Sequence, residues 1–139
     1  MRIGSSVLTI LIAVHFTPSV AGAIDHGNLS EASALELYEV AFLEQLKVAH
    51  HPAGEPASLC IGGDPPAVLL RRLSTAQRPV RGCREQQGLR WYALQLGANQ
   101  PTEAAVVGWN SRDKTTRAFL AKRRNGHWII VSHDVVTIS

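Results

Sequence analysis

Asn125-Gly126 sits between two β-prone runs, TTRAFLAKRR and HWIIVSHDV. An Asn-Gly pair in that setting supplies the two positive φ angles of a type I′ turn. The dipeptide therefore predicts a two-residue hairpin that joins residues 116–124 to residues 127–135. Its register sets Arg123 opposite Trp128 and Arg117 opposite Asp134. Phe119, Ala121, Trp128 and Ile130 then share one face, and Leu120, Ile129 and Val131 the other. Apolar residues on both faces call for a sheet that is curved, covered on both sides, or used for dimerisation.

Three further short segments between turn signals, PVRGC, LRWYALQLG and EAAVVGWN, read as strands that extend this hairpin into a mostly antiparallel sheet. Upstream the period changes. In NLSEASALELYEVAFLEQLKVAHH, residues Leu35, Tyr38, Ala41, Phe42, Leu46 and Ala49 fall on one stripe at 3.6 residues per turn, and Glu36, Glu39, Glu44 and Lys47 lie away from it. A helix over 31–49 follows, capped by Asn28 or Ser30. Asn28-Leu29-Ser30 is also a glycosylation sequon, but the cap accounts for the same residues. ASLCI reads as a short strand. GGDPPAVLLRRLS reads as a short helix with Asp64 as cap, Pro65 at its first position, and Val68, Leu69 and Leu73 inward. The order α-β-α-β-β-β-β-β places the chain in the α+β class, with an N-terminal helix and a short second helix packed on a mostly antiparallel curved sheet.

The first 23 residues belong to a different category. A single positive residue, Arg2, precedes an apolar run from Val7 to Phe16, then Pro18 and the small residues Ala21-Gly22-Ala23. That order is the signature of a signal peptide cut after Ala23. The run holds about 10 residues where a membrane span needs roughly 20, so no span is expected after cleavage. Residues 24–139 then form one domain, periplasmic or secreted. Export bears on the two cysteines, Cys60 and Cys83. In an oxidising compartment an even pair in a small domain reads as one disulfide. Zinc would ask for about four ligands, and neither zinc nor redox chemistry finds its usual C-x-x-C spacing here.

Charge divides the chain. Residues 24–64 carry seven acids against one base, a net of −6, whereas residues 65–139 carry twelve bases against four acids, a net of +8. The two halves either complement each other on folding or leave a basic face. The mature balance of only +2 does not suit nucleic-acid binding. The candidates for a basic binding surface are Arg71, Arg72, Arg81 and Arg84, whose guanidinium groups recognise phosphate or carboxylate in bidentate fashion. Ser132-His133-Asp134 has the residue types of a hydrolase triad, but alternation along a strand turns His133 away from its neighbours, and no catalytic residue is assigned. His127 and His133 lie roughly 20 Å apart along one strand, so no metal site is assigned. Gly62-Gly63 lacks the rest of a phosphate loop, and no cofactor is expected.

The segments LC…DPP…LLRRL…RPVR…C and FLAKRRNGHWIIV, together with a leading helix, resemble a group of uncharacterised exported bacterial proteins of small α+β type. They fall within residues 59–131. The element order is also similar to cystatin-like and nuclear-transport-factor-like layouts. The resemblance implies a fold and brings no activity or site residue. The function expected is that of a small exported, non-catalytic binding protein. Its partner would be an anionic envelope component or a protein, reached through the basic face or an apolar groove beside Tyr38, Phe42 and Trp128. The alternative is an exported hydrolase whose site assembles from His51, Asp64, Arg81 and His133.

Overall fold

The structure, a computed structural model, describes residues 24–48, 59–83, 91–111 and 114–136. The expected leader, His50, His51 and Arg84 lie outside the described residues. The elements are α1 (Glu31–Val48), β1 (Leu59–Ile61), α2 (Ala67–Leu73), β2 (Val80–Gly82), β3 (Trp91–Gln100), β4 (Glu103–Asn110), β5 (Thr115–Arg124) and β6 (His127–Val135). The six strands form one sheet in the order β2-β1-β3-β4-β5-β6. The fold is α+β, and the sheet is mostly antiparallel.

Ser30 is the cap of α1: its Oγ accepts the Ser33 N–H at 3.1 Å. Asn28 is used elsewhere, its N–H donating to Asn99 Oδ1 at 2.7 Å. The buried stripe of α1 is Ala34, Leu37, Tyr38, Ala41, Phe42, Gln45 and Leu46. It is centred about one residue from the expected stripe, and Leu35 is only partly buried against the core.

The start of α2 differs from expectation. Asp64 is not the N-cap residue; it stands two residues earlier at φ 55, and Pro66 occupies the N-cap without a side-chain cap bond of its own. A proline disfavours the α conformation in the residue before it, so Pro66 excludes Pro65 from the helix. The helix begins after both prolines. Leu69 and Leu73 are buried as expected, and Val68 packs against the core.

β3, β4, β5 and β6 form the expected antiparallel meander. Asn125 and Gly126 both have positive φ, 53° and 80°, as a type I′ turn requires. Arg123 faces Trp128, but Arg117 faces Val135 and not Asp134. The register shifts because Ala121 pairs with Ile130 while Leu120 pairs with Ser132, leaving Val131 as the extra residue of a β-bulge. β6 is an edge strand, and a bulge there disrupts a regular hydrogen-bonding edge. β1 departs from a simple meander: it pairs in parallel with both β2 and β3. α2 is the crossover that a parallel β1–β2 pair needs.

The main apolar cluster joins Phe42, Leu37, Ala41, Leu69 and Leu73 of the helices to Tyr92, Leu96, Val106, Phe119, Ala121 and Trp128 of the sheet. Ala105 and Val107 form a second, smaller cluster with Ala98, Ala118, Leu120 and Val136 on the opposite face. Apolar residues therefore occupy both faces, as the hairpin pattern requires.

Candidate functional site

Cys60 and Cys83 are joined, with their Cα atoms 5.4 Å apart. Cys60 lies in β1, fully buried, and Cys83 follows β2, where its N–H donates to Ile61 O at 3.0 Å. A disulfide of this kind fits an oxidising environment. It braces the corner that carries the basic candidates. Ser74 ties α2 to β2 there: its Oγ donates to Leu70 O at 2.7 Å and accepts the Val80 N–H at 2.9 Å.

Most of the described bases are engaged. Arg72 Nε pairs with Glu39 Oε1 at 3.0 Å. Arg78 donates to Leu73 O at 2.9 Å and lies over the Phe42 ring, 5.7 Å from its centroid. Lys122 meets Glu103 at 3.5 Å. Arg123 bonds Ser33 Oγ and Gly126 O and lies over the Trp128 ring. Arg71 and Arg81 are different: both are exposed, and neither has a carboxylate partner among the described residues. Of the basic candidates, then, Arg72 is partly neutralised, Arg71 and Arg81 point to solvent, and Arg84 is not described.

The acidic side of α1 meets the basic half of the chain. Glu36 lies 2.8 Å from His127 Nδ1, Glu39 holds Arg72, and Glu44 lies 4.0 Å from His133 Nε2. Glu39–Arg72 joins an acid of the first half to an arginine of the second, whereas His127 and His133 stand outside the charge tally. Each pair is at least partly exposed and so contributes little to stability.

The alternative hydrolase set does not converge among the described residues. Arg81 and His133 lie on β2 and β6, the two edges of the sheet, and five strand spacings separate them by about 24 Å. Asp64 is exposed, and His51 is not described. His133 faces the Phe119 ring and Glu44, while Ser132 and Asp134 lie on the other face of β6. No three His, Cys, Asp or Glu side chains among the described residues are grouped to hold a metal ion. No helix among them is long and apolar enough to cross a membrane.

The expected apolar groove is core. Tyr38, Phe42 and Trp128 are all buried. Trp128 Nε1 donates to Ser33 O at 3.0 Å, and Phe42 meets Tyr92 edge-on at 5.6 Å between ring centroids. Burial, and next the charge of Asp25, pushes the Tyr38 phenol well above its ordinary value. The neutral hydroxyl donates to Asp25 O at 2.8 Å, fastening the segment before α1 to the helix.

The polar part of the interior lies further along α1, where Gln45 is fully buried against Gly108 of β4. A Cβ at Gly108 would collide with Gln45 Oε1 and stand 2.9 Å from its Cδ and 3.1 Å from Phe119 Cε2. Gly108→Ala is therefore expected to destabilise by about 1–3 kcal/mol, as overpacking does. Adding Gln45→Ala should restore part of the loss, because the two changes share one space, and a thermal-unfolding double-mutant cycle reads that coupling.

No family model, curated protein or solved structure matches the chain.

Proposed function

We propose that the protein is a small exported, non-catalytic binding module that meets an anionic envelope partner at the α2–β2 corner. Support comes from Arg71 and Arg81, two outward guanidinium groups without acidic partners among the described residues, held beside a disulfide-braced strand pair. Arg72, partly neutralised by Glu39, and Arg84 extend the same basic run in sequence. Guanidinium groups suit phosphate or carboxylate on the partner. Export rests on the leader pattern of residues 1–23 and agrees with the disulfide. The fuller layout, two helices packed on a curved sheet in a cystatin-like or nuclear-transport-factor-like manner, belongs to the same proposal.

The test is retention on native envelope material. Arg71→Gln with Arg81→Gln should reduce retention several-fold at low salt while leaving Tm nearly unchanged, since both side chains are exposed. Raising salt should weaken the wild type in the same direction, because screening at about 0.15 M acts beyond roughly 8 Å. Retention indifferent to both changes rejects this face as the binding determinant.

A further inference from the structure

Gln45 is the one polar residue in the buried stripe of α1, and it is 0% exposed. Neither its Oε1 nor its Nε2 has a hydrogen-bond partner among the described residues. Oε1 occupies the space where a Gly108 side chain would begin, which sets it against the Gly108 backbone. A contact of that kind is at best a weak Cα–H···O interaction, and it leaves the two N–H donors unanswered. Buried carboxamides are almost always hydrogen-bonded to protein or to ordered water.

The sheet offers polar company close by. Asn110 stands two residues from Gly108 along β4, about 7 Å at the usual rise, and Tyr92 is its cross-strand partner on β3. Both are fully buried. Asn110 and Tyr92 side chains can each take a further hydrogen bond beside those they make. The side of the sheet on which Gln45 meets Gly108 is therefore also the side of Asn110 and Tyr92. We infer that one ordered water molecule is bound inside the protein at the Gln45 carboxamide, between α1 and β4. It replaces the missing protein partner and lets a polar residue occupy a core position. The inference concerns the interior and is independent of the basic corner.

Water-selective NOESY and ROESY spectra of the isotope-labelled protein, as recovered from the producing cells, provide the test. Cross peaks from water to the Gln45 side-chain amide protons, with the opposite signs in the two spectra that mark a long-lived dipolar contact, are the expected result. Tyr92→Phe keeps the ring and removes a hydroxyl that relays exchange, so the peaks should survive it. Gln45→Met should keep the fold and abolish water contacts at neighbouring interior protons. Absence of the Gln45 peaks in the folded wild type, or their loss in a folded Tyr92→Phe variant, overturns the inference. If Gln45→Met does not fold, the wild-type and Tyr92→Phe spectra still decide.

Discussion

Phe42→Ala is expected to lower the unfolding free energy by about 3–5 kcal/mol, the range for truncating a buried phenylalanine. For a domain of this size that corresponds to a fall in Tm of about 10 °C or more. The residue is 0% exposed, and its ring touches both layers: Tyr92 of β3 meets it edge-on, and the Arg78 guanidinium lies over its face. Truncation removes the ring contact of α1 with Tyr92 of β3 and strips Arg78 of its aromatic neighbour. Phe42→Leu keeps most of the volume and should cost much less, which separates the packing loss from the loss of the ring face. Retention on envelope material, measured well below the lowered Tm, should not change. A parallel loss of retention in a folded variant would return the binding determinant to the interior and away from Arg71 and Arg81.

The strands after residue 90 were legible because each carries local signals. Asn125-Gly126 defines a turn, and flanking runs of β-branched and aromatic residues define what it joins. The bulge at Val131 was not legible. Nothing in HWIIVSHDV distinguishes a regular strand from one with an extra residue, and the choice depends on how β5 and β6 each fit the layer beneath them. The parallel placement of β1 was hidden for a similar reason: a three-residue strand carries no direction signal, and its neighbours are set by the α2 crossover and the disulfide. Two further features are legible in the sequence. Consecutive prolines exclude a helix start at Pro65 on backbone grounds alone. The spacing Ala34, Leu37, Tyr38, Ala41, Phe42, Gln45, Leu46 is a regular helical stripe, and a glutamine inside it marks an interior polar position. The binding candidates fared differently, because exposure and pairing are tertiary properties. Sequence grouped Arg71 with Arg72, yet only Arg72 reaches Glu39, at the middle of a helix distant in the chain.

Removing the Cys60–Cys83 bridge is expected to cost about 3 kcal/mol, from the chain entropy released by opening a loop of this length. The local structure explains why so small an element depends on it. β1 and β2 are three residues each and pair in parallel, so few ladder hydrogen bonds hold β2 at the edge of the sheet. The bridge and the Ser74 bonds hold that edge where the ladder is short. Cys60→Ala and Cys83→Ala should each destabilise, Cys60→Ala somewhat more because its side chain is fully buried and Cys83 is only partly so. The double variant should cost little more than Cys60→Ala alone, since either single change already opens the loop. Denaturant unfolding of all three variants reads the comparison, and non-reducing peptide mapping of the exported fraction reads the bridge itself. Additive losses would mean that the cysteines contribute as separate packing residues, and two free thiols in exported material would remove the disulfide as the support of the α2–β2 corner. If the bridge is present and the losses coincide, its reduction should also weaken retention through Arg81, whose strand it holds in place.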